Sequence, residues 1–215
     1  MARAAAEKLA AFNVQQIVCS PFLRCFQTAR ELQNALQLPQ NALELDWQIC
    51  EVLTKRFLAG NLWEPPLCSV ADWMWSCTKT TSSPGNDSAS ALPSQNGGAD
   101  SGNSAAEPLL KDMVGIQWCS TPSTPAYPES TEEAHARYTA ALEAIADRHA
   151  GMNVLVMTHG EAVRRSVARL LPWAMVYEVQ HCGFTAAWRE QDADGDWDAW
   201  ELEDQNPERG VSWVA

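Results

Sequence analysis

The stretch Val154-Leu155-Val156-Met157-Thr158-His159-Gly160-Glu161 limits the possible folds of this chain more than any other. Its four consecutive apolar residues, Val154 to Met157, predict a short strand buried on both faces, as in the interior of a parallel sheet. Gly160 is expected to let the backbone turn tightly. Val163, Val167, Leu170 and Leu171 then recur on one helical face until Pro172 stops the run. In an open α/β sheet, ligands bind beyond the carboxyl ends of strands, where a helix N-terminus offers free N–H groups and partial positive charge. His159 is expected at such a point.

The same order of elements occurs earlier. Residues 2–12 suit a helix with Ala5, Leu9 and Phe12 on one stripe, and Asn13 is a plausible end signal. Val14 to Cys19 reads as a strand stopped by Ser20-Pro21, and Phe22 to Leu36 has helical spacing through Phe22, Phe26, Ala29 and Leu32. Two strand–turn–helix units predict a parallel sheet with crossover helices, with Ser20 and Arg24 at the same rim as His159.

Leu43, Leu45 and Trp47 alternate with polar residues, predicting a short strand that leads into a loop closed by Glu51. The Trp- and Pro-rich stretch from Phe57 to Cys77 fits an irregular cap over a pocket and ordinary packing equally well. Residues 78–107 are dominated by Ser, Gly, Asn, Pro and Ala, so they cannot offset their ordering entropy by burial and are expected to be a disordered low-complexity insertion in a single domain spanning 1–215. Ser130-Thr131-Glu132-Glu133 is a capping box opening a helix with Tyr138, Ala141, Leu142 and Ile145 on its buried side, ending near Gly151. His135 and His149 on that helix lack partners at ligand spacing and are expected to be solvated. Residues 183–188 and 197–202 predict two strands around a turn at Asp194-Gly195. The acidic residues there have a glycine in the wrong place for a calcium loop, so a hairpin turn is expected.

Composition removes several classes of function. With 15 basic against 27 acidic side chains and a net charge of −12, the chain lacks the basic field that nucleic acid or an anionic membrane surface requires. No apolar run of about 20 residues could span a membrane, and the first residues lack a signal-peptide core, so a cytoplasmic protein is expected. The 7 cysteines form no Cys-x-x-Cys pair and are expected to be reduced core thiols.

Ser20, Arg24 and His159 at one rim outline a phosphate site. A guanidinium matches phosphate oxygens bidentately, and an imidazole can donate to an oxyanion or carry a proton. Taken alone, a histidine after a strand is more often structural than functional.

The residues themselves resemble the histidine phosphatase superfamily, also called phosphoglycerate mutase-like. Cys19-Ser20-Pro21-Phe22-Leu23-Arg24-Cys25-Phe26-Gln27-Thr28-Ala29 is similar to that family's segment after its second strand, and Thr158-His159-Gly160-Glu161 to its second histidine motif. Glu51 matches its acidic proton donor. Arg24-Cys25 and the Glu51 turn resemble the eukaryotic branch of ubiquitin-associated and SH3-containing phosphatases. The resemblance implies a three-layer α/β sandwich whose mostly parallel sheet has helices on both faces. It also implies phosphomonoester hydrolysis through a phosphohistidine, without metal or other cofactor. Arg24 becomes an oxyanion clamp, His159 a stabiliser of the transferring group and Glu51 the general acid, while Ser20 and Gly160 line the pocket. The expected ligand is a phosphorylated small molecule or phosphopeptide.

One motif of the family is absent. No Arg-His-Gly occurs in the sequence, and the first strand that carries this nucleophilic histidine in the family has no counterpart before residue 2. The chain is therefore expected to be N-terminally truncated relative to the family, lacking its first strand, and inactive as it stands. The alternative is a non-catalytic phosphate-binding pseudophosphatase or interaction module. A nucleotide-binding α/β protein is disfavoured because no Gly-rich phosphate loop follows either strand.

Overall fold

The computed structural model describes residues 1–54, 116–119, 125–192, 194–203 and 205–214. Contacts divide the chain into two units, and the one described here comprises Met1–Thr54 and Gln117–Ala215. The sequence readings for residues 57–77 and 78–107 lie outside the described residues.

The main sheet is built from β1 (Gln16–Cys19), β2 (Leu43–Leu45), β3 (Gln117–Trp118) and β4 (Val154–Met157) in the order β3-β2-β1-β4, with every neighbouring pair parallel. The fold class is thus α/β. All four residues of β1 are buried, as a strand flanked on both sides must be. By contrast, β4 is half-buried along its whole length, where burial on both faces was expected. It is the edge strand of this sheet among the described residues, which explains the difference.

Four helices accompany the sheet among the described residues: α1 (Ala2–Leu9), α2 (Leu23–Ala35), α3 (Thr131–Arg148) and α4 (Gly160–Leu170). A short 3-10 turn extends α1 to Phe12, and the chain leaves it through Asn13 in the left-handed region at φ 47°, where an Asn side chain is tolerated. The predicted capping box of α3 is present. Ser130 Oγ accepts from Glu133 N at 3.1 Å, and Glu133 Oε2 accepts from Ser130 N at 2.7 Å. Val18 packs with Ala141 and Ile145 of α3 and with Val154 and Val156, so α3 covers the face on which these alternate residues point. The chain runs from β1 through α2 to β2 in one direction across the sheet, and from β3 through α3 to β4 in the other. Right-handed crossovers of opposite direction put the two helices on opposite faces. They also make the boundary between β1 and β4 the topological switch point, where a crevice opens beyond the carboxyl ends.

Some elements differ from their sequence expectation. Trp47 is not in a strand: β2 ends at Leu45, Asp46 Oδ1 accepts from Gln48 N at 2.8 Å, and Trp47–Ile49 form a 3-10 turn whose Trp47 ring stacks on Trp118. Glu44 breaks the alternation as well, since it is buried, ion-paired to Arg148 at 2.6 Å and hydrogen-bonded to His149 at 3.1 Å. His149 is therefore an internal partner of Glu44 and not a solvated residue. Three strands went unread. β3 has two residues, while β5 (Met175–Val179) and β8 (Val211–Val214) pair antiparallel as a separate ribbon that packs on α4 through Val167, Val176 and Val211. The predicted hairpin is present with shorter strands, β6 (Ala187–Trp188) and β7 (Glu201–Leu202). Its turn has Gly195 at φ 91°, and Asp192 Oδ1 accepts from the amides of Asp194 and Asp196, which is an Asx turn and not a cation loop. Cys19, Cys25, Cys50 and Cys182 are free thiols.

Replacing Arg148 by Ala leaves Glu44, of which 6% of the side chain is exposed, without its guanidinium. The expected cost is about 3 kcal/mol, because an uncompensated buried charge remains. Urea unfolding of Arg148→Ala and of Arg148→Ala with Glu44→Gln checks this, with the double variant expected to recover part of the loss.

Candidate active site

The parallel register pairs Cys19 with Met157, so the residues that follow, Ser20 and Thr158-His159, leave the sheet side by side at the switch point. Ser20 N donates to Met157 O at 2.8 Å, carrying the ladder one step beyond β1. Pro21 cannot donate to a ladder and ends it. Phe22 caps α2 in an extended conformation, which places Arg24 in the first turn of that helix. On the other side, His159 caps α4 at φ −114° and ψ 160°, and its ring turns back toward β1.

His159 is the centre of the cluster. Its Nε2 lies 2.8 Å from Ser20 Oγ, and its Nδ1 lies 2.7 Å from Arg24 Nη2. A guanidinium only donates, so Nδ1 must present its lone pair, and the ring proton is then on Nε2, donated to Ser20. Arg24 Nη2 also donates to Glu51 Oε2 at 3.0 Å. Glu51 Oε1 accepts from Val52 N at 3.1 Å, and Oε2 is 3.4 Å from His159 Nδ1, a contact and not an ion pair while the ring is uncharged. The Phe22 ring closes one side, edge-on to His159 at 5.1 Å and under the Arg24 guanidinium at 5.0 Å.

Burial and charge set the protonation states. Only 2% of the His159 side chain is exposed, against 40% for Arg24 and 20% for Glu51. Burial, then the cations of Arg24 and Arg137, pull the imidazole down to about 3, so the ring is neutral across the physiological range. The Cys25 thiol lies 3.6 Å from His159 Nε2 and is pushed up to about 11 by burial, which keeps it protonated and without nucleophilic character.

Sequence reasoning placed Ser20, Arg24, Glu51, His159 and Gly160 at this rim, and the structure brings Ser20, Arg24 and Glu51 each within 3.4 Å of the His159 ring. Gly160 is beside them as the exposed first residue of α4, with its N–H among those that have no intrahelical acceptor. It is not needed for a tight turn, because a Cβ there would meet nothing closer than Val179 at 4.0 Å. His135, expected to be solvated, instead bonds Glu161 in the first turn of α4 at 2.7 Å. Two residues that shape the site were missed. Arg137 and Glu129 form an ion pair behind Glu51 with 7% and 3% of their side chains exposed. Arg137 borders the buried stripe of Ala134, Tyr138 and Ala141, and a cation at that position beside a capping box was the available signal.

No group of three or more metal-ligating side chains occurs among the described residues, and no described helix is long and apolar enough to cross a membrane. The arrangement is suited to a tetrahedral oxyanion, which a guanidinium can clamp while an imidazole and a carboxyl exchange protons with it.

The family model for the histidine phosphatase superfamily (branch 1) matches residues 1–75 and 105–211. A solved structure described as mycobacterial hydrolase 1 is 18% identical, over 95% of this chain and 82% of that one, with a TM-score of 0.49. A mycobacterial glucosyl-3-phosphoglycerate phosphatase is 17% identical, over 94% and 82%, with a TM-score of 0.49. No curated protein matches the sequence. The chain belongs to the histidine phosphatase superfamily.

A histidine buried neutral makes stability depend on pH with a definite sign. The unfolded ring, near 6.5, binds a proton that the folded ring refuses until about 3. The contribution is complete above 6.5 and is lost as pH falls toward 3, at up to about 1.4 kcal/mol per pH unit. Urea unfolding at several pH values between 4 and 7 should show that His159→Gln has a flatter acid limb than the parent by that amount.

Proposed function

We propose that the cluster of Ser20, Arg24, Glu51 and His159 binds the phosphoryl group of a phosphomonoester and is the oxyanion-holding half of a phosphohistidine-type phosphatase site. The observation that carries this is the single guanidinium nitrogen of Arg24 bonding both His159 Nδ1 and Glu51 Oε2, at 2.7 and 3.0 Å. A clamp, a proton donor and an imidazole thereby share a few ångströms at the switch point of the sheet. Phosphoryl transfer needs little more from a protein than positioning and charge stabilisation. Arg24 neutralises charge on the equatorial oxygens, and Glu51, a carboxylate paired with Arg24 in the free protein, passes to the leaving oxygen a proton that it has first taken from solvent. His159, once an anion displaces the guanidinium from Nδ1, takes up a proton and donates to an oxygen.

The nucleophile is the part this sequence does not contain. Its histidines are His135, His149, His159 and His181, none preceded by Arg and followed by Gly. His135 and His149 are bonded to Glu161 and Glu44. We infer that the nucleophilic histidine belongs on a strand paired to the outer edge of β4, outside these 215 residues, and that the 215 residues alone bind phosphate without turning it over. Support comes from the half-burial of Val154–Met157 and from that edge having no strand among the described residues. Arg24-Cys25 and the Glu51 turn support kinship with the eukaryotic branch, and the free thiols of Cys19, Cys25, Cys50 and Cys182 support a reducing, cytoplasmic setting. The ligand proposed is a phosphorylated small molecule or a phosphopeptide.

Isothermal titration with orthovanadate and inorganic phosphate tests the site. Micromolar binding is expected, weakened at least about tenfold in Arg24→Ala, as suits the loss of a charge-assisted pair. No saturable binding, or an unchanged affinity in that variant, overturns the reading. Release of phosphate from p-nitrophenyl phosphate is expected only after a strand ending in Arg-His-Gly is added ahead of α1. Turnover by the 215-residue chain alone would refute the placement of the nucleophile.

A further inference from the structure

Glu51 lies on a loop with no regular ladder, yet its carboxyl must meet Arg24 and His159 within a few tenths of an ångström to act on a bound phosphoryl group. Backbone groups of that loop are held mainly from α3 and from the residues just before it. Arg137 Nη1 donates to Gln48 O at 2.7 Å and to Cys50 O at 3.2 Å, and its Nη2 donates to Glu51 O at 3.4 Å. Glu129 closes the other end: its Oε1 accepts from Leu53 N at 2.9 Å, and its own N–H donates to Leu53 O at 3.1 Å. The two side chains are joined twice, Arg137 Nε to Glu129 Oε2 at 3.1 Å and Nη2 to Oε1 at 2.5 Å. Tyr138 OH and Thr158 Oγ1 add one bond each, to Cys50 O and Ile49 O.

We propose that Arg137 and Glu129 are a positioning pair for Glu51, bracketing the loop from both sides so that its carboxylate stays against Arg24 and His159. A buried ion pair replaced by apolar residues is often neutral for stability, so stability alone does not account for placing two desolvated charges here. The planar fork of Arg137 is what matters, since the carbonyls of Gln48, Cys50 and Glu51 need several donors in fixed directions. A lysine keeps the charge but cannot reach all three.

This inference rests on the role proposed for Glu51, and the test separates the two. In the full 215-residue chain, phosphate affinity is measured at pH 8 beside the ring nitrogen NMR signals of His159, in the parent, Glu51→Gln, Arg137→Lys and Glu129→Gln. Arg189→Ala serves as a control: Arg189 pairs with Glu143 and Asp147 and stacks on Trp197 and Trp200, away from the loop. Glu51→Gln removes a negative charge beside the anion and is expected to tighten phosphate binding about fivefold or more. Arg137→Lys and Glu129→Gln, which let the carboxylate drift from Arg24, should tighten it in the same direction and shift the His159 signals toward those of Glu51→Gln. Arg189→Ala should lower the thermal midpoint and change neither readout. If Arg137→Lys and Glu129→Gln lower the midpoint but leave affinity and the His159 signals at parent values, the pair is structural only and the proposal falls. If Arg137→Lys fails to fold, Glu129→Gln decides, because it keeps an acceptor for Leu53 and nearly the same volume. Absence of phosphate binding in the parent refutes the function proposed above, while the His159 signals still report whether the pair positions Glu51.

Discussion

The pairing of β1 with β4 is the constraint from which the site follows. With Cys19 opposite Met157, the two chains emerge from the sheet in step, and each must turn at once because Pro21 ends one ladder and α4 begins after the other. A slip by one residue would reverse every side chain on β4, sending Val154 and Val156 away from α3 and moving His159 off the rim. The apolar packing that secures the register therefore also secures the distance from His159 to Ser20. Core and site are specified by the same few hydrogen bonds.

How much of this the sequence revealed depended on the range of the interaction. Local signals were sound: Ser20-Pro21, the Ser130 capping box, Asn13 and the β4-to-α4 unit all describe neighbouring residues, and each appears where it was expected. Arg24 and His159 were legible because turns after parallel strands converge whatever the rest of the chain does. Glu44 is one of the polar residues between Leu43 and Leu45, and its partners Arg148 and His149 lie more than a hundred residues away. Arg137 and Glu129 were missed for the same reason. Nothing adjacent in sequence reveals that a helix cation will meet the carbonyls of Gln48 and Cys50. In the ribbon, Val176 of β5 and Val211 of β8 owe their burial to Val167 on α4, far from them in sequence.

Charge is consistent with the ligand proposed. A net charge of −12 repels polyanions and leaves anion binding to a local arrangement of cations. Arg24 is the half-buried cation of that site; Arg137, its donors taken by loop carbonyls and Glu129, adds only its charge, and both help to keep His159 unprotonated. A neutral ring with Nδ1 already accepting from Arg24 has no proton for a phosphate oxygen. In the reading proposed here, binding and proton uptake are one event: the dianion that draws Arg24 away also supplies the negative charge that makes an imidazolium favourable.

The outer edge of β4 links fold to chemistry in a similar way. A parallel edge strand of Val-Leu-Val-Met leaves apolar side chains half-covered and a row of backbone groups facing outward, which sheets ordinarily cover or pair. A strand added there would run beside β4 and end next to Thr158 and His159, bringing its last side chains to the rim that holds Arg24 and Glu51. One segment would then complete the apolar sheet and deliver a nucleophile to the crevice. On that view the stability of the domain and its capacity for turnover are gained together, since whatever fails to pair with β4 also fails to place a histidine beside the bound anion.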